Sequence, residues 1–550
     1  MLVALWPNAV VVFGLWAVST VFVCLGIWVY SDGRTCRGQI KGSPMNSNHK
    51  PRPQTIRILN KGNAVLNLSQ LHVASVLLIG FCSVVPNGFT AESSDNLPNI
   101  VFILVDDMGY GDPGCYNANS KIPTPHINQL ARDGMRFTAA HAPGALCHMS
   151  RYGLLTGRYP FRTDVSVWRK EPLIDDGQMT IGSLLQTKGY RTAMVGKWHL
   201  GFSENGYERP LPGGPVDRGF HTYFGIRAST DIPPYFYIRG NRAVQSPSNR
   251  IEAKASPDWS PIQGEFWRAG GIAPDLELKD VLPRFTDEAI QVIETHAETA
   301  AARPLMLYVA YPAPHTPWLP SEEFLGKSNA SMYGDFAVMV DGMIGRILVA
   351  LEQAGMAEDT LLVFTSDNGP VWYESDVDRF KHDSSGGLRG MKGDAWECGH
   401  RMPFIVRWPG KVRSGSVSDQ TICFTDMLAT FASVVGVDLP QEAGPDSFNL
   451  LPVLLGEQRD AEPVRNTLVT MSAKRTLSIQ SGEWKLIPAL GSRGFSEPAL
   501  VKPRPGSVPG QLYNLANDLG ETKNLYAKNP AIVKQLTNQL AKIRDSGRSR

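Results

Sequence analysis

The chain has 550 residues, 43% of them hydrophobic and 19% charged, with a net charge of +2, 52 glycines and 40 prolines. That balance excludes a nucleic-acid binder, an acidic tail and a low-complexity polymer, and the length asks for one large domain with a satellite. Seven cysteines (Cys24, Cys36, Cys82, Cys115, Cys147, Cys398 and Cys423) include no C-x-x-C pair, which argues against a zinc site or a disulfide framework.

Ala9 to Tyr30 is apolar throughout and long enough to cross a bilayer. Arg34, Arg37, Lys41, Lys50, Arg52, Arg57 and Lys61 follow in a polar stretch that reads as a basic linker. A second apolar run, Val73 to Val85, ends at Pro86-Asn87-Gly88. Two topologies are open. In one, the first run spans from outside to inside and the second returns, because basic loops stay cytoplasmic. In the other, the chain starts at Met45, and Val73 to Val85 is the core of a secretory signal cleaved near Ala91. Both export the domain that begins near Asn96, to the periplasm or the extracellular space, and the first leaves a membrane anchor. The expected divisions are 1–30 (transmembrane segment), 31–70 (linker), 71–95 (second apolar segment or signal), 96–465 (catalytic domain) and 466–550 (C-terminal antiparallel sheet plus helix).

Beyond residue 98 the texture is strand, loop, helix, repeated. Ile100 to Val105, Leu305 to Ala310 and Thr360 to Thr365 are continuous apolar runs of strand length, as strands buried on both faces require. Pro125 to Asp133 is a short helix, with Thr124 as its cap, Pro125 in the first position and Gly134 as its stop. Thr286 to Ala302 is an amphipathic helix with Ala289, Ile290, Val292 and Ile293 on one side, and Tyr333 to Gln353 is a longer one. Near residue 470 the pattern changes. Thr476 to Ile479 and Trp484 to Ile487 flank Ser481-Gly482 as a hairpin, Leu512 to Leu515 adds a strand, and Pro530 to Arg544 closes the chain as a helix. The fold class is α/β: a large, mostly parallel sheet flanked by helices, with a smaller C-terminal α+β domain.

Four buried runs end in polar clusters. The first leads into Asp106-Asp107, the run ending at Val195 into Gly196-Lys197-Trp198-His199, the run ending at Ala310 into His315, and the run ending at Thr365 into Ser366-Asp367-Asn368. Ligands of open α/β sheets bind beyond the carboxyl ends of the strands, so these clusters should converge. Asp106, Asp107, Asp367 and Asn368 are oxygen donors, which favours a hard cation, Ca²⁺ or Mg²⁺, over zinc; taken singly, each pair is equally a turn or a helix cap. Lys197 and His199 alternate along extended chain and need a local bend to face one site. His315 is held in the Pro-rich segment 312–317, and Lys392 lies in the Gly-flanked segment 390–393. Cys147 stands four residues ahead of Arg151. On a helix the two share a face, with the cysteine at the N-terminus, where backbone N–H groups favour an anion.

On these residues the chain resembles a type I sulfatase of the alkaline-phosphatase superfamily. The resemblance is carried by Pro98-Asn99-Ile100 through Asp112, by the Cys147 to Arg158 element, by Gly189 to Gly201, by Pro314-His315, by Ser366 to Gly369, and by Leu512 to Leu515 with Glu521 to Leu525. It implies a calcium-dependent sulfuric ester hydrolase whose Cys147 is oxidised to Cα-formylglycine by a formylglycine-generating enzyme and then hydrated. Asp106, Asp107, Asp367 and Asn368 would hold one Ca²⁺ per chain together with residue 147, and Arg151 would orient the diol. His199 would act as its base, and Lys197 would bind sulfate oxygens. His315 and Lys392 would bind sulfate and protonate the leaving alcohol, and Ser229 would hydrogen-bond the site. One hydroxyl of the diol would attack sulfur, and the other would expel sulfate as the aldehyde re-forms. Met149 stands where the family has proline or alanine.

Two other readings stay open: a related phosphatase, phosphodiesterase or phosphonate hydrolase, and a non-catalytic, calcium-dependent binder of sulfated glycans. An exported sulfatase suits sulfated polysaccharides. Tyr235, Phe236, Tyr237, Trp259 and Trp267 are aromatic candidates for stacking on sugar rings, and equally for ordinary packing.

Overall fold

The structure, a computed structural model, describes residues 97–166, 171–458 and 462–550, together with the backbone of four strands between Leu2 and Arg37. Contacts divide the chain into residues 1–93 and 94–550. In the first unit, Leu2–Trp6, Ala9–Val18, Phe22–Ser31 and Arg34–Arg37 form an antiparallel sheet in chain order. The apolar run expected to span a membrane is therefore two paired strands, with Gly14 opposite Gly26. Its valines (Val10, Val11, Val12, Val18, Val23 and Val29) favour extended backbone. Among the described residues no helix is long and apolar enough to cross a membrane. The second apolar run and most of the linker lie outside the described residues.

The second unit is built on an 11-stranded sheet. Its strands are β1 (Asn99–Asp106), β2 (Met135–His141), β3 (Arg191–Lys197), β4 (Thr222–Ile226), β5 (Tyr237–Arg239), β6 (Arg242–Ala243), β7 (Leu305–Pro314), β8 (Thr360–Ser366), β9 (Arg401–Arg407), β10 (Ser416–Ser418) and β11 (Ile422–Cys423). The order is β6-β5-β4-β3-β7-β1-β8-β9-β2-β10, with β11 also on β2. The central strands β4, β3, β7, β1 and β8 are mutually parallel, while β9 runs antiparallel between β8 and β2. Every residue of β7 and β8 is buried, which accounts for their unbroken apolar sequences.

The register sets the site. One row across the sheet reads Gly225, Gly196, Ala310, Leu104 and Thr365. Just beyond that row lie Lys197, Asp106-Asp107 and Asp367-Asn368. Gly196 is required here: its φ is +119°, and a Cβ would sit 2.0 Å from the Ala310 carbonyl oxygen.

The helices α1 (Pro125–Asp133), α2 (Cys147–Thr156), α3 (Val281–Thr299) and α4 (Ser331–Gln353) fall close to the sequence reading, with informative differences. Thr124 does not cap α1, because its Oγ1 accepts from Gly114 N at 3.0 Å. The first-turn N–H groups of His126 and Ile127 donate instead to Asp341 of α4, at 3.2 and 2.9 Å. Helix α3 begins five residues ahead of Thr286. Pro283 falls in its first turn, where a missing N–H costs nothing, so Val281, Leu282 and Phe285 extend the buried face.

The C-terminal region adds an antiparallel sheet of β12 (Leu468–Met471), β13 (Leu477–Ser481), β14 (Trp484–Ile487) and β15 (Gln511–Asn514). Helix α5 (Pro530–Asp545) covers it, burying Val533, Leu536, Leu540 and Ile543 against Ile479, Leu486 and Leu512. A buried ionic cluster ties this sheet to the large one. Lys485 Nζ on β14 lies 2.9 Å from Glu397 Oε1, 2.9 Å from Glu521 Oε1 and 3.2 Å from His400 Nε2. Glu397 Oε2 also accepts from Arg401 at 3.0 Å, and Glu397 N donates to Glu521 Oε2 at 2.6 Å.

Candidate active site

Each strand end turns its functional residues into one space. At the end of β1, Asp107 adopts φ +63°, a left-handed conformation that aspartate tolerates better than most residues. After β3, His199 adopts φ +57°, and the N–H groups of Trp198 and His199 donate to Ile226 O and Arg227 O. This is the bend needed to bring Lys197 and His199 to the same side. After β7, His315 Nδ1 donates to Thr316 O at 2.6 Å, which leaves Nε2 as an acceptor 3.7 Å from Asp107 Oδ2.

Cys147 opens α2, and Gly157 ends that helix with φ +63°. The segment ahead of the cysteine is pinned from both sides. Met471 N donates to Pro143 O, Ala145 N donates to Met471 O, and Gly393 N donates to Ala145 O, at 3.1, 2.9 and 2.9 Å. The last of these bonds comes from the residue after Lys392. Met149, 1% exposed, packs in the core beside Gly144.

The polar atoms then interlock. Arg151 donates from Nε and Nη2 to Asp367 Oδ2 at 3.1 and 2.8 Å, from Nη2 to Asp106 Oδ2 at 3.0 Å, and from Nη1 to Lys197 O at 3.0 Å. Lys197 Nζ donates to Asp106 and, at 2.6 Å, to Ser229 Oγ. Lys392 Nζ spans Asp107 Oδ1 and Oδ2 at 2.6 and 2.8 Å and reaches Cys147 Sγ at 3.4 Å. Sγ in turn donates to Asp106 Oδ1 at 3.3 Å. All eleven residues read from the sequence meet here: Asp106, Asp107, Cys147, Arg151, Lys197, His199, Ser229, His315, Asp367, Asn368 and Lys392.

Burial and charge set the ionisation. Burial would raise the Asp106 carboxyl, but Lys197, His315 and Arg151 outweigh it and hold it well below the usual range. Burial pushes Asp107 up to about 6 against Lys392, and pushes Asp367 up to about 6 with help from Asp106. The Cys147 thiol is driven far above its ordinary value by burial and by the nearby Asp106 and Asp367, so it stays protonated and is a poor nucleophile as it stands. Burial, with Lys197, holds His199 well below its ordinary value, and burial with Lys392 brings His315 down to about 4. Both imidazoles are neutral at pH 7, and the buried Nδ1 of His199 has no partner. Lys392 keeps its proton: burial opposes this, but Asp107 and Cys147 prevail.

The oxygen donors fit a hard cation. Asp106, Asp107, Cys147 and His315 offer ligand atoms within 4.8 Å of one another. Asn368 gives its Nδ2 to Asp107 Oδ1 at 2.6 Å, while its buried Oδ1 has no hydrogen-bond partner. An orphaned amide oxygen beside three carboxylates is the donor set such an ion takes.

A cavity of about 300 Å³ opens onto Cys147, His199, His315 and Lys392. Its outer wall contains residues the sequence reading missed: Asp231, Arg268, Lys474 and Phe495. Asp231 had one local signal, its place two residues after Ser229; the others come from distant loops with none. The aromatic candidates sit elsewhere. Tyr235, Phe236 and Tyr237 are core residues, 4%, 1% and 5% exposed. Trp259 stacks on Phe380 at 5.7 Å, and Trp267 carries Lys254 over its face.

A parallel α/β sheet whose strand ends gather three carboxylates and three basic residues around a helix-start cysteine defines a hydrolase of small anionic esters. The Sulfatase family model matches residues 98–437. The chain is 33% identical over 488 residues to an N-acetylgalactosamine-6-O-sulfatase of Bacteroides thetaiotaomicron, covering 81% of this chain and 93% of that one. It is 31% identical over 457 residues to human arylsulfatase A, covering 78% and 83%. A solved sulfatase structure from glycosaminoglycan metabolism of B. thetaiotaomicron superposes with a TM-score of 0.71 at 30% identity, covering 82% of this chain and 99% of that one. The chain belongs to the sulfatase family and is a sulfuric ester hydrolase.

Proposed function

We propose that the protein is an exported sulfatase of sulfated glycans, acting through a formylglycine made from Cys147 by a formylglycine-generating enzyme and assisted by one calcium ion. The observation that carries this reading is Cys147 itself: it lies at the N-terminus of α2 between Asp106 and Lys392, with a thiol that burial and the neighbouring carboxylates hold protonated. A thiolate nucleophile is wrong for that environment, whereas a neutral hydroxyl suits it.

Asp106, Asp107, Asp367 and Asn368 would hold the ion, which supplies positive charge to the sulfate oxygens. Cys147, oxidised and hydrated, supplies the hydroxyl that attacks sulfur. Neutral His199, with its free Nδ1, accepts the proton of that group. Arg151 fixes Asp106 and Asp367 from beneath. Lys197, seated between Asp106 and Ser229, meets a sulfate oxygen. Lys392 carries the standing positive charge toward the leaving side. His315 presents its Nε2 lone pair there, and the arriving anion favours protonation of that nitrogen, which then passes the proton to the departing alcohol. The glycan assignment follows the named relatives, one acting on N-acetylgalactosamine 6-sulfate groups. The apolar runs ahead of residue 96 support export, with 96–465 as the catalytic domain and 466–550 as its C-terminal partner.

The test is a peptide mass across Cys147 from protein made in its native host, followed by a desulfation screen on sulfated glycans. Conversion with sulfate release is expected. Met149, in the position where the family has proline or alanine, motivates the one alternative: an unconverted thiol together with glycan binding and no turnover selects the non-catalytic binder.

A further inference from the structure

Asp231 stands in the cavity wall, and no step above uses it. It follows β4 on the loop that carries Ser229 and is 5% exposed. Arg268 fixes it: Nη1 donates to Oδ2 at 2.5 Å and to the Asp231 carbonyl at 3.2 Å, and Arg268 N donates to that carbonyl at 3.3 Å. The other oxygen, Oδ1, is buried and has no hydrogen-bond partner. His315 Nδ1 lies 4.0 Å from it, and the proton on that nitrogen is already given to Thr316 O.

A positioned, desolvated acceptor with nothing bound to it is costly, and the cost is returned when a ligand supplies a donor. Sulfate supplies none and is repelled by a carboxylate. A hydroxyl or an amide N–H on the organic part of the substrate does supply one. Ile232, Ile262, Val371 and Phe495 give the cavity an apolar surface that suits the C–H face of a pyranose. An aryl sulfate offers a flat ring with no donor. We propose that Asp231 Oδ1 accepts a hydrogen bond from a hydroxyl or amide N–H of the sulfated sugar, making Asp231 a specificity determinant for glycosyl over aryl sulfates. This rests on the sulfatase reading and adds the group that recognises the alcohol half of the ester.

The test compares converted wild type with Asp231→Ala and Asp231→Asn on 4-nitrophenyl sulfate and on whichever of the 3-, 4- and 6-sulfated N-acetylhexosamines the wild type cleaves fastest. Asparagine keeps the volume. With its oxygen on Arg268 it turns an NH₂ toward the ligand, so it should behave like alanine. The expected result is a fall of about 10- to 100-fold in the ratio of kcat/KM, sugar over aryl, in both variants, as for loss of a hydrogen bond to a charged group. A merely structural role through Arg268 would lower both substrates alike, and an unchanged ratio overturns the proposal while leaving the sulfatase reading intact. So does a wild type that cleaves the aryl ester and none of the sugars. A converted wild type that cleaves neither class overturns both.

Discussion

Glu521 offers a counter-intuitive test of the buried ionic cluster. Burial pushes its carboxyl up from 4.5 to about 7; Lys485 opposes the rise and Glu397 adds to it. An acid whose folded pKa is raised contributes stability that is fully present below its unfolded value and is lost as pH climbs through the folded one. The window here runs from pH 4.5 to about 7, and the interval is worth about 3 kcal/mol. Above pH 7 the wild type lacks that contribution. Glu521→Gln mimics the protonated form and keeps an oxygen for the Glu397 N–H, while Lys485 and Arg401 remain on Glu397. The Lys485 attraction is already contained in that shift, so the variant is expected to be more stable than wild type by about 3 kcal/mol at pH 8 and by only about 1 kcal/mol at pH 5. Urea unfolding of both proteins at the two pH values measures this. A destabilised variant at pH 8, or the same difference at both pH values, refutes the reasoning. Glu397→Gln should do the opposite: its carboxyl is held low against burial by Lys485, His141 and His400, and removing it leaves a buried lysine underpaired, at about 3–5 kcal/mol.

Further outcomes are expected at the site. Chelation of divalent ions should abolish sulfate release and lower the melting temperature. Calcium added back at 100 times its Kd should restore about 2.7 kcal/mol, read by calorimetry. Lys392→Ala should cut kcat by about 10²–10³-fold, as for loss of a charge-stabilising donor, in steady-state assays against an unchanged fold by circular dichroism. Gly196→Ala forces a Cβ to within 2.0 Å of the Ala310 carbonyl at a positive φ, and should lose about 3 kcal/mol or more in urea unfolding.

The site was legible because its chemistry sits at strand ends. Unbroken apolar runs mark the parallel strands, and the polar residues that terminate them are forced together by a register that local sequence does not state but the α/β class implies. Ser229 was readable only through the resemblance, since a serine in a loop carries no local signal, and Lys392 had only its flanking glycines to mark it. Arg268 and Phe495 were invisible because they reach the cavity from loops far away in sequence. The cap of α1 went wrong for the same reason: Asp341, more than two hundred residues on, outcompetes the neighbouring threonine. For the aromatic residues 235–237 the sequence left stacking and core packing open, because a side chain that suits a sugar face suits a protein core equally well, and the structure selects the core.

The bonds that tie Pro143 and Ala145 to Met471 have a temporal consequence. Roughly 320 residues separate Cys147 from the strand that clamps its loop, and a ribosome adding 5–20 residues per second takes on the order of 15–60 s to make them. Throughout that delay the loop ahead of the cysteine lacks its bonds to Met471, which favours access by an oxidising catalyst that reads linear sequence. Once the last sheet docks, the thiol is sealed at 4% exposure and the opportunity closes.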